Sequence, residues 1–158
     1  MGADLYLNSV FKPNFDHYKR SFDEWVQRRN MLQQAGNEDE AKTAQGQVEA
    51  FYEKMYERGY FRDSYNDSNL LNLFGLSWWG EVMEMLDDDS QMSPSDTQLL
   101  LEMLSDAEAN FEANLREETA WEGWTKPQTE AYFREKYQRF KAFLEEAITL
   151  NEAIVCSI

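Results

Sequence analysis

The amino-acid sequence predicts an all-α fold: a single-domain helical bundle over residues 1–158, with four long helices and shorter helical pieces between them. Three observations carry this reading. Apolar and aromatic residues recur at alternating steps of three and four along four long stretches, the signature of one helix face. Glycines and capping residues punctuate those stretches where helices would start and stop. The chain is 42% hydrophobic and 15% aromatic, enough apolar matter to build a core at this length.

The first helix presents Phe15, Tyr18, Phe22, Trp25 and Leu32 on one face, with Asn14 after Pro13 as its N-cap and Gly36 as its stop. A short GNED turn leads to the second, whose face is Ala41, Ala44, Val48, Phe51 and Met55, ended by Gly59. Two helices joined so briefly form an antiparallel hairpin. Residues 60–79, YFRDSYNDSNLLNLFGLSWW, divide into a loop, a short helical NLLNLF, a stop at Gly75 and a new start capped by Ser77. DDDSQMSPSD is a further loop, in which Ser93, Pro94 and Asp96 open the third long helix. That helix is expected to run through Leu100, Leu104, Ala107, Phe111 and Leu115 to WEGW at residues 121–124. Thr125 and Gln128 make a capping box around Pro127 for the fourth, with Phe133, Tyr137, Phe140, Leu144 and Ala147 on its face. The termini, ADLYLNSV and AIVCSI, have a β-like texture and are expected to form a small two-stranded pairing.

The net charge of −15 is unevenly placed. Residues 1–62 carry −1 and residues 126–158 carry none, while residues 63–125 hold fifteen acids against one cation, Arg116. Such a segment repels phosphate backbones and anionic lipid, which argues against direct nucleic-acid or membrane binding and favours a basic or mixed-charge protein partner. The single Cys156 allows neither an internal disulfide nor a CxxC pair. The start lacks a secretory signal, and LLLEML is too short to span a bilayer, so a cytoplasmic location is expected. Gly2 opens a myristoylation-like pattern, but Tyr6 stands where Ser or Thr is required.

Two groups of residues are candidate sites. In the aromatic corner at residues 60–79, Arg62, Asp63, Tyr65 and Asn66 could orient a ligand against Trp78 and Trp79. The same residues suit a structural corner of turns and caps, and adjacent tryptophans on a helix leave at most one facing the core. Glu81 and Glu84, an E-x-x-E pair, could hold a divalent metal for phosphate chemistry, as in all-α nucleotide pyrophosphohydrolases. The downstream E-x-x-D of those enzymes is missing, since Glu102 and Asp106 are four apart and Glu84 with Asp87 overlaps the first pair. An EF-hand register fails from Asp63 and from Asp87, lacking both the glycine at position 6 and the glutamate at position 12. His17 is the only histidine and has no Glu-x-x-His partner, and neither G-x-S-x-G nor a glycine-rich phosphate loop is present.

The start MGADLY and the segment GYFRDSYN…GLSWW resemble an uncharacterised group of bacterial and phage-type proteins over the first half of the chain. The resemblance implies that Gly59 to Asn66 and Leu76 to Trp79 belong to a common framework, and it implies no activity. The function expected is that of a soluble acidic helical protein, a non-catalytic interaction module using the acidic middle segment 63–125 and the aromatic corner 60–79, which leans away from an enzyme. The alternatives are a metal-dependent phosphohydrolase using the helix-borne carboxylates, and an acidic mimic of nucleic acid that blocks a DNA-binding protein. No cofactor is expected beyond a divalent metal, and the aromatic faces would equally bury against a second copy in a homodimer.

Overall fold

The computed structural model describes residues 1–158. The chain forms two compact units, a hairpin at Asn8–Tyr60 and a second unit of Met1–Leu7 with Phe61–Ile158. Most of it is helical, as the periodicity requires. The all-α expectation needs one correction: the paired termini are the centre of a four-stranded sheet rather than an isolated ribbon.

The hairpin consists of α1 (Asn8–Gln34) and α2 (Glu38–Met55). Its first helix starts seven residues earlier than expected, at Asn8, with Pro13 inside it, so Asn14 is not its N-cap. Pro13 is the sixth residue of α1 and withholds one helical N–H there, beyond the first turn in which that loss is free. Asn14 instead serves the other helix: its Nδ2 donates to the carbonyls of Lys54 at 2.7 Å and Met55 at 3.2 Å, in the last turn of α2, where carbonyls lack regular intrahelical partners. Ala41, Ala44, Val48 and Met55 are buried on α2, and the two alanines at its start leave room for close approach. Tyr18 meets Phe51, Phe22 meets Tyr52, and Arg29 donates to Gln45 at 2.8 Å. Gly36 closes α1 at φ +72°, a conformation L side chains resist.

In the second unit the strands β1 (Gly2–Tyr6), β2 (Tyr60–Ser64), β3 (Gln91–Met92) and β4 (Ile154–Ser157) stand in the order β2-β1-β4-β3. Leu5 lies opposite Cys156, and Met92 opposite Ile154. All four are buried, so the period-two alternation of each strand turns one common face inward. Helices α3 (Leu70–Leu73), α4 (Pro94–Asp106), α5 (Glu108–Glu117) and α6 (Lys126–Leu150) complete the unit, with a π-helical turn at Trp78–Val82.

Ser93 caps α4 as expected, accepting from the Asp96 N–H at 3.1 Å. The third long helix, however, breaks at Ala107 into α4 and α5 and stops at Glu117, short of WEGW. Ala107 has no local reason to break a helix. The break lets Phe111 stack on Phe74 at 4.7 Å and Asn114 donate to the Leu73 carbonyl at 2.8 Å, so packing against α3 overrides local propensity. The capping box of α6 forms as expected from Thr125 and Gln128. Its inward face comprises Phe133, Lys136, Tyr137, Phe140, Phe143, Leu144 and Ala147, and Phe61 of β2 stacks on Phe140 at 4.4 Å.

Candidate functional site

Residues expected to lie in a loop, YFRDS, form strand β2, and its alternation separates the corner into two layers. Phe61 and Asp63 point into the core, while Arg62 points out. The same division falls between the adjacent tryptophans. Trp78 is 2% exposed and Trp79 60% exposed.

The inner layer is centred on Asp63, whose side chain has no exposed surface. Its Oδ1 accepts from the backbone N–H of Ser64 at 2.9 Å and of Leu70 at 3.2 Å, and meets Lys136 Nζ at 2.7 Å. Its Oδ2 accepts from the Trp78 indole N–H at 2.8 Å and the Leu71 N–H at 3.4 Å. Five donors fill the lone-pair positions of one carboxylate, which therefore has none to offer a ligand. Lys136 side-chain exposure is 8%; its ammonium also lies 3.4 Å from the Tyr132 hydroxyl and over the Tyr132 ring. This node joins β2, the start of α3, the π-helical turn and α6. It makes Asp63 and Trp78 framework rather than binding surface.

The outer layer holds Arg62, Tyr65 and Trp79. Arg62 Nε stands 3.7 Å from Asp4 Oδ1 of the neighbouring strand β1. Tyr65 and Trp79 pack ring to ring at 5.3 Å. The Tyr65 phenol is held above its ordinary pKa, first by burial and then by the Asp4 charge, with Arg62 acting the other way. Asp4, Arg62, Tyr65 and Trp79 thus share one surface, with Trp79 its most exposed ring. Asn66 is a turn residue: its N–H donates to Ser64 Oγ at 2.9 Å and its carbonyl accepts from Asn69 Nδ2 at 2.9 Å.

Glu81 and Glu84 do not converge with other carboxylates, and no group of three or more His, Cys, Asp or Glu side chains is placed to hold a metal ion. Glu81 Oε2 instead accepts from the Ser77 N–H at 2.8 Å, at the start of the π-helical turn, and Glu84 is exposed. The acidic loop is also occupied internally. Asp87 Oδ1 accepts from the N–H groups of Asp89 at 3.0 Å and Gln91 at 2.8 Å, shaping the turn that leads into β3. No helix is long and apolar enough to cross a membrane.

Three residues of this region escaped sequence reasoning. Lys136 sits at a core position of α6 between Phe133 and Tyr137, and a lysine on an otherwise apolar face was the signal available. Asp4 would have needed the register of the terminal strand. Gly2 packs so closely on β2 that a methyl group there would overlap the Asp63 carbonyl oxygen. Comparison with protein-family models, curated proteins and solved structures yields no match.

Proposed function

We propose that the protein is a non-catalytic interaction module whose anchor is Trp79, packed on Tyr65 and surrounded by an acidic surface that selects a basic or mixed-charge protein partner. The observation that carries this reading is the opposite burial of two adjacent tryptophans. Trp78 is fixed from below by the Asp63 hydrogen bond, so Trp79 is presented from a rigid turn rather than a mobile loop. Exposed aromatic rings on a pre-ordered frame lose little conformational entropy on binding and are over-represented among residues that dominate interface energetics. The unit that carries Trp79 has 21 acids against 7 bases, a field that accelerates encounter with cationic surfaces. Glu81, one of the two carboxylates the metal-dependent alternative would use, accepts a backbone N–H at the start of its turn, which favours the module reading.

The test is parallel affinity capture by the wild-type protein and Trp79→Ala. The module reading expects a basic protein held by the wild type, released by added salt and not held by the variant. Identical retention by both proteins refutes the assignment of Trp79.

A further inference from the structure

A cleft of about 450 Å³ opens on the hairpin, within the size range of small-molecule sites. Two ridges of α1 line it, Ser9, Pro13 and His17 on one and Val10, Asn14 and Tyr18 on the other, each at steps of four; Arg58 faces them from beyond the end of α2. The charge of its lining is unlike the rest of the chain. The protein has 30 acids against 15 lysines and arginines, yet the cleft holds its only histidine and an exposed arginine with no carboxylate in the wall. The last carbonyls of α2 are a negative helix end and would oppose an anion. Asn14 covers two of them, donating its amide to Lys54 and Met55.

We propose that this cleft binds a phosphate monoester with a small apolar body. Arg58 supplies the planar fork that matches phosphate oxygens, His17 and the Tyr18 hydroxyl supply further donors, and Val10 with Pro13 forms an apolar wall for the ester group. The inference rests on the hairpin alone, so it stands or fails independently of the Trp79 surface.

Because His17 is the only histidine, its imidazole proton gives a single reporter in a one-dimensional NMR spectrum. The experiment titrates phenyl phosphate, inorganic phosphate and phenol, separately, into the full chain and into Arg58→Gln. Expected is saturable movement of the His17 signal with phenyl phosphate, weaker movement with inorganic phosphate and none with phenol. Arg58→Gln should raise the phenyl phosphate Kd roughly tenfold or more, the loss of one charge-assisted bidentate contact, with the unfolding midpoint unchanged. Absence of saturable movement, or equal Kd values in both proteins, overturns the site. Equal affinity for phenyl phosphate and inorganic phosphate overturns the monoester assignment.

Discussion

Replacing Lys136 by Met isolates the charge at the centre of the second unit. Methionine keeps the unbranched stem, so the packing of α6 is largely preserved and the ammonium alone is lost. The Asp63 side chain has no exposed surface, and its partner's is 8% exposed, so water cannot take over the missing contact. Removing one member of a buried ion pair typically costs about 3–5 kcal/mol, because the remaining charge stays buried without its counter-ion. At this chain length that corresponds to roughly a 6–20 °C fall in melting temperature. The four N–H donors remaining on Asp63 place the expectation toward the lower end of the range. Urea unfolding followed by far-UV circular dichroism measures the loss, and the Trp78 indole N–H signal in a ¹⁵N–¹H spectrum reports whether Asp63 still accepts its bond. A loss below about 1 kcal/mol, the ordinary scale of a surface pair, would refute the view that the Lys136 charge is needed there.

Trp78→Ala should destabilise by about 3–5 kcal/mol as a large core truncation, whereas Trp79→Ala should stay within about 0.5 kcal/mol; equal losses in a urea titration would contradict the two-layer description. Gly2→Ala should cost about 1–3 kcal/mol by overpacking β1 against β2, and a melt unchanged from wild type would show that the strands part without penalty. Burial pushes the Cys156 thiol from 9.0 up to about 12, so iodoacetamide at mildly alkaline pH should label it only after denaturation. Between those two values the unfolded thiol ionises and the folded one does not, so stability falls as pH rises, by up to about 1.4 kcal/mol per pH unit for this group. Rapid labelling of the folded protein would refute that. The Tyr137 hydroxyl, raised by burial and by its 2.7 Å bond to Glu108, acts with the same sign above pH 10.

The helices were legible where spacing and caps agree. The Thr125–Gln128 box, Ser93 with Pro94, and the face of α6 follow from local chemistry. The sheet was legible only at the termini, because β2 and β3 are made of residues that also suit turns. YFRDS becomes a strand by lying beside β1, and Gln91–Met92 by pairing with β4. The Asn14 error has a related cause: an asparagine after a proline fits a helix start, and nothing local reveals carbonyls 40 residues away that need its amide. For the candidate site, sequence placed the residues of the corner in one neighbourhood without dividing them into layers. That division depends on strand alternation at β2 and on Lys136, which is 73 residues from Asp63 and is not foreseeable from either one.

Where charge is used in the folded second unit bears on what the rest of it is for. The core engages one carboxylate, Asp63, against one lysine. Several other acids have local work: Glu81 and Asp87 order turns, Glu108 holds Tyr137, and Glu112 pairs with Arg134. Glu84, Asp88, Asp89, Glu102, Asp106, Glu117 and Glu122 are exposed. Like charges at this density oppose compaction and do not help select the fold. The interaction reading we propose turns that acidic surface toward a partner, and the nearly neutral hairpin, with 8 bases against 9 acids, lacks such a field. The two units thus differ in the surface they present: one is rich in acid and carries an exposed tryptophan, and the other has a cleft lined by no carboxylate.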